Sequence, residues 1–106
     1  MSEITQDRME AAMHYLAETD QDYAEQKAKL ERAEIVRKRT RSRIFLTEAG
    51  TVAERQAKAE IHDDVAIADD QYVTCIEVYE TLKARRERAQ IVIDVWRSLN
   101  AARRKS

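Results

Sequence analysis

A chain of 106 residues with a formal charge of −1, 37% charged and 6% aromatic, reads as one domain of coiled-coil-like composition rather than a compact globule. Near-neutrality excludes the overall basic character of a dedicated duplex-DNA binder, although a local basic patch stays open. The single cysteine, Cys75, excludes an intramolecular disulfide, and the longest apolar-rich stretch, Ile91 to Trp96, is too short to span a bilayer. The opening Met-Ser-Glu-Ile-Thr-Gln-Asp has neither the basic nor the apolar region of a signal peptide. The expectation is a soluble protein of a reducing cytoplasm, without membrane contact.

Four helical segments are expected within this one domain, at about residues 4–18, 20–48, 52–61 and 64–103. The first sets Ile4, Met9, Ala12, Met13 and Leu16 along one face. Thr19 and Asp20 are N-cap residue types, and Asp22 and Glu25 place negative charge in a first turn, so a second helix is expected to start there. Its stripe of Tyr23, Leu30, Ala33 and Ile44 is interrupted by Gln26, Arg37 and Thr40. Gly50 is the only glycine, and proline is absent. Thr51-Val-Ala-Glu54 follows as a capping box, so the local signal is helix, break, helix. Asp63 or Asp64 is expected to cap the last helix.

That last helix carries the clearest period. Val65, Ala68, Tyr72, Cys75, Tyr79, Leu82, Arg86, Ala89, Ile93 and Trp96 follow an unbroken three–four spacing, the a/d seam of a heptad pattern. The fold class expected is all-α: an elongated antiparallel helical hairpin or coiled coil, with a short helix at the turn and an N-terminal helix packed on it. In that hairpin Leu30 lies near Leu82 and Gln26 near Arg86, and Asp69 and Asp70 lie close to Ser42 and Arg43. Gln26 with Arg86 then forms a polar layer that fixes register. From Ile91 to Trp96 only Asp94 is polar, so the helix needs cover on several sides. The candidate oligomer interface is Ile91, Val92, Val95, Trp96 and Leu99, and a homodimer is expected.

Signals for chemistry are sparse. His14 and His62 have no partner at ligand spacing, Cys75 reads as a small hydrophobe on the seam, and one glycine cannot build a phosphate loop. The expectation is no enzyme, no metal, no cofactor and no small-molecule substrate. The basic run Arg37, Lys38, Arg39, Arg41 and Arg43 admits two readings. Arg37, Lys38 and Arg41 share a face that suits a phosphate backbone, or the run pairs internally with Asp63, Asp64, Asp69 and Asp70. At the other end Arg103 and Arg104 either favour the negative end of a helix dipole or, with Trp96 and Arg97, suit single-stranded nucleic acid.

Three segments carry a resemblance. They are Tyr15-Leu16-Ala17-Glu18-Thr19-Asp20, Ala53-Glu54-Arg55-Gln56-Ala57-Lys58-Ala59, and Val95-Trp96-Arg97-Ser98-Leu99-Asn100-Ala101-Ala102-Arg103-Arg104. Together they resemble small all-helical bacteriophage and prophage early-region proteins. Those share a Tyr-Leu…Thr-Asp start, an Ala-Glu-Arg-x-x-Lys-Ala centre and a Trp-Arg-Ser-x-x-x-x-Arg-Arg end. The resemblance implies a phage protein encoded beside recombination or single-strand-binding functions, with no catalytic residues. The capping box accounts for Glu54, whereas nothing local accounts for Arg55 or Arg97, which makes those two candidates for partner contact. The function expected is non-enzymatic binding of a phage or host protein in recombination, nuclease or defence machinery. The alternatives are a nucleic-acid-binding accessory protein and a structural coiled-coil element.

Overall fold

The computed structural model describes residues 4–105. Three helices account for almost all of them: α1 Gln6–Thr47, α2 Val52–Ile61 and α3 Asp63–Lys105. No strand occurs among the described residues, and none of their helices is long and apolar enough to cross a membrane. The fold is the expected all-α one, two long helices with a short one at the turn. Thr5 starts α1, its hydroxyl accepting from the Arg8 N–H at 3.2 Å.

The expected break at Thr19–Asp20 is absent, so no separate N-terminal helix exists and α1 is continuous. A cap residue type inside a sequence without Gly or Pro is not forced to cap. Here the Thr19 hydroxyl donates to the Tyr15 carbonyl one turn back at 2.8 Å, and the Asp20 carboxylate accepts from Arg86 at 2.6 Å. Both side chains are used in ways compatible with helix.

At the turn the sequence signals hold. Gly50 adopts φ +119°, a region closed to most side chains, and a Cβ there would meet the Glu54 carboxylate at 2.5 Å. The Thr51 hydroxyl accepts from the Glu54 N–H, and α2 begins. Between α2 and α3 a single residue, His62, leaves helical geometry with ψ 136°. Its carbonyl accepts from the Ala66 N–H and its Nδ1 from the Asp64 N–H at 3.0 Å. The cap of α3 is therefore His62, not Asp63 or Asp64, whose carboxylates sit in the first turn where the helix dipole favours them.

The chain divides into two compact units, each built from a stretch of α1 and a stretch of α3 lying antiparallel. Unit 1 comprises the residues up to Ala24 together with those from Glu80 onward. Met9, Ala12, Ala89 and Ile93 are buried there, with Tyr15, Leu16, Val92 and Trp96 packed around them. Met13, expected on that inner face, is exposed. Arg86 is the polar member of the unit. It donates to the Leu16 carbonyl at 3.0 Å and to Thr19 at 2.6 Å, pairs with Asp20, and lies 4.8 Å over the Tyr23 ring. The expected register placed Gln26 against Arg86 and is off by about one to two turns.

Unit 2 is Glu25–Tyr79 and includes all of α2. Its buried cluster is small: Ile44, Ala59 and Val65. The same register correction applies, because Asp69 meets Arg37 and Arg41 rather than Ser42 and Arg43. Heptad spacing fixes which face of a helix turns inward, but not how far one helix slides along the other. All ten seam residues of α3 are buried or half-buried, so the face itself was read correctly.

Candidate functional site

The last turns of α1 end in carbonyls that have no helical partner. Within unit 2, α2 answers one of them, and a carbonyl of the turn that follows, with its own cations. Arg55 Nε donates to the Phe45 carbonyl at 3.1 Å while its guanidinium lies 4.4 Å over the Phe45 ring. Lys58 Nζ donates to the Ala49 carbonyl at 2.8 Å. Ala59, one residue on, is buried against Ile44 and Val65, where a larger side chain would hold α2 away. Glu60 closes the row by accepting from Arg41 Nε at 2.7 Å. Each of Arg55, Lys58 and Ala59 thus has a local structural task. Arg55 clamps the turn and is not a free contact for a partner.

Docked in this way, α2 and the end of α1 border a groove of ≈ 810 Å³ lined by Phe45, Leu46 and Ala59 with the polar Lys38, Arg41, Ser42, Gln56 and Glu60. Leu46, 73% exposed, stands on its rim, and Lys38 and Ser42 continue onto a neighbouring shallow face with Arg39. Its floor is apolar, and its charged members Arg41 and Glu60 pair with each other. Such a surface can receive an apolar side chain from a partner.

The basic run is largely engaged inside the molecule. Arg37 donates to Asp69 at 3.1 Å and lies 4.7 Å over the Tyr72 ring. Arg41 bridges Glu60 and Asp69, Arg43 pairs with Asp64 at 3.2 Å, and Lys38 pairs with Glu34 one turn back at 3.2 Å. Partial burial pushes the Asp69 carboxyl up, but hydrogen bonds from Arg37 and Arg41 outweigh it and hold the group below its ordinary value. The hydrogen bonds that Arg41 donates, to Glu60 first and then to Asp69, raise it above its ordinary value. Of the two sequence readings of this run, internal pairing describes the geometry.

The C-terminal candidates fall elsewhere, in unit 1. Arg97, Arg103 and Arg104 are exposed on α3. The five interface candidates divide. Val92 and Trp96 pack on the buried cluster of unit 1, whereas Ile91, Val95 and Leu99 stay on the surface. Among the described residues no group of three or more His, Cys, Asp or Glu could hold a metal ion. His14 faces Glu18 at 2.9 Å, and Cys75 is half-buried on the seam.

Sequence reasoning missed the groove because its floor comes from two helices whose contact depends on Arg55 and Lys58 reaching backbone carbonyls, which no periodicity reports. The exposed Leu46 was the one available signal, an apolar residue just before a helix stop. Comparison with known proteins finds no family model, no curated protein and no solved structure that matches this chain.

Proposed function

We propose that this chain is a non-enzymatic binding protein that works through protein–protein contacts, with the groove between α1 and α2 as its site. One observation carries the reading: the guanidinium groups of Arg37, Arg41 and Arg43 are held by Asp69, Glu60 and Asp64, while Leu46 stands exposed on the rim of an apolar groove. A phosphate backbone would have to compete with those carboxylates, whereas an apolar side chain meets no competitor. The resemblance to phage early-region proteins points the search for a partner toward recombination, nuclease and host-defence proteins. Nucleic acid is the second reading, favoured by the exposed Arg97 and Arg104 on α3.

The test compares wild type with Leu46→Asp as baits in extracts of phage-infected cells, and runs both over single- and double-stranded DNA in a salt series. The expected result is a protein captured by wild type and lost with the folded variant, and no DNA retention at low salt. Equal capture by both baits removes the groove from the proposal. DNA retention with a steep salt slope replaces it with the second reading.

A further inference from the structure

Within unit 2 each long helix turns a stripe outward, away from the contact between them. On α1 the stripe is Arg32, Ile35, Arg39, Ser42 and Leu46, spaced by three and four residues. On α3 it is Asp63, Ile67, Asp70, Thr74 and Val78, with the same spacings. All of these residues are exposed, whereas the buried Ile44 of α1 and the buried Val65 and half-buried Tyr72 of α3 lie on the opposite side of their helices. The aliphatic members are 48% and 73% exposed on α1, and 57% and 45% exposed on α3. Arg37, Arg41 and Arg43 are spent inside the chain, but Arg32, Arg39, Asp63 and Asp70 make no side-chain hydrogen bond or ion pair among the described residues. No lysine or arginine occurs from Ile61 to Leu82, so the α3 stripe is purely acidic. The α1 stripe is basic, with one carboxylate, Glu31, at its edge.

We infer that unit 2 is a self-association surface, in which the α1 stripe of one copy packs along the α3 stripe of a second copy. This goes beyond the groove and shares only Leu46 with it. Charge and register together select the occupant. With the two helices parallel, Arg32 meets Asp63, Ile35 meets Ile67, Arg39 meets Asp70, Ser42 meets Thr74 and Leu46 meets Val78. Every pair then matches to within one residue of helical rise, about 1.5 Å. The antiparallel direction, with Arg39 kept on Asp70, sets Leu46 on Asp63 and Ile35 on Thr74 and so parts the aliphatic residues. Two α3 stripes together hold no cation, and two α1 stripes hold no anion except Glu31. Burial of the four aliphatic side chains supplies attraction, and the charges supply direction. The stripes lie on opposite sides of unit 2, so each copy receives one neighbour on either side. Such a contact between unlike faces extends to further copies instead of closing as a pair.

Sedimentation velocity of the full chain over a concentration series tests this, with circular dichroism to establish that each variant is folded. The expected result is a species that grows past the dimer as concentration rises. The double variants Arg32→Glu/Arg39→Glu and Asp63→Lys/Asp70→Lys each raise the concentration needed for assembly by roughly tenfold or more. An equimolar mixture of the two restores it, because the acidic α1 of one then faces the basic α3 of the other. A monomer throughout the series overturns the inference. So does an assembly indifferent to both charge reversals, or a mixture that stays dissociated. A monomer that is retained on DNA until Arg32 and Arg39 are reversed also overturns it, and assigns the α1 stripe to phosphate.

Discussion

The same two helices are held together by different means in the two units. In unit 1 the contact is an apolar cluster, Met9, Ala12, Ala89 and Ile93 with Trp96 against it, and Arg86 is its polar member. In unit 2 the buried residues are Ile44, Ala59, Val65 and Ala68, two of them alanines, and α1 meets α3 through Arg37 and Arg41 on Asp69 and Arg43 on Asp64. Burying an aliphatic side chain is worth about 1.5–3 kcal/mol, whereas an exposed ion pair contributes about 0–1 kcal/mol. The apolar unit is therefore sensitive to volume, and the polar unit to acid and salt. A helix pair does not need a uniform seam, provided that each stretch offers its facing stretch some partner.

Ile93→Ala presses hardest on this contrast. Removing a buried isoleucine side chain beside Met9 and Ala12 costs about 2–5 kcal/mol, and hydrogen exchange should rise in unit 1 before unit 2. Exchange that rises equally throughout would mean that the two units do not differ in the way described. Gly50→Ala comes next, at about 1–2 kcal/mol or more, because a Cβ at φ +119° is strained and meets Glu54. Its effect should concentrate in α2, read as faster exchange there.

Asp69→Asn gives the smallest effect on stability at neutral pH, below about 1 kcal/mol in a partly exposed site. Its pH dependence is the sharper readout. The Asp69 carboxyl titrates below its ordinary value when folded, so the stabilisation it brings is complete above the unfolded value and is lost as pH falls through the folded one. Wild type should lose melting temperature below about pH 4, and the variant should lose less over the same interval. Parallel acid profiles would show that this network contributes little to unit 2.

Much of the site was legible in residues and was misassigned only in role. Arg55 stood out because the capping box accounts for Glu54 and nothing local accounts for Arg55, and the structure supplies the explanation through space, at the Phe45 ring and carbonyl. Arg37 and Arg41 were seen as a basic strip, and the nearby aspartates as their competitors. Only the docked α2 adds Glu60 to that set. The groove had no sequence signature, since Phe45 and Ala59 come together only when α2 lies down on α1.

Local chemistry written in the chain determined the helices, their caps near Gly50 and the inward face of α3, because each depends on residues within one or two turns. Tertiary structure decided the continuity of α1 through Thr19 and Asp20, the sliding register of the helices and the pairing of the arginines. These depend on groups distant in sequence, such as Arg86 reaching Thr19 and Asp69 reaching Arg41. A repeat of three and four residues is satisfied by several offsets, and the polar partners choose among them.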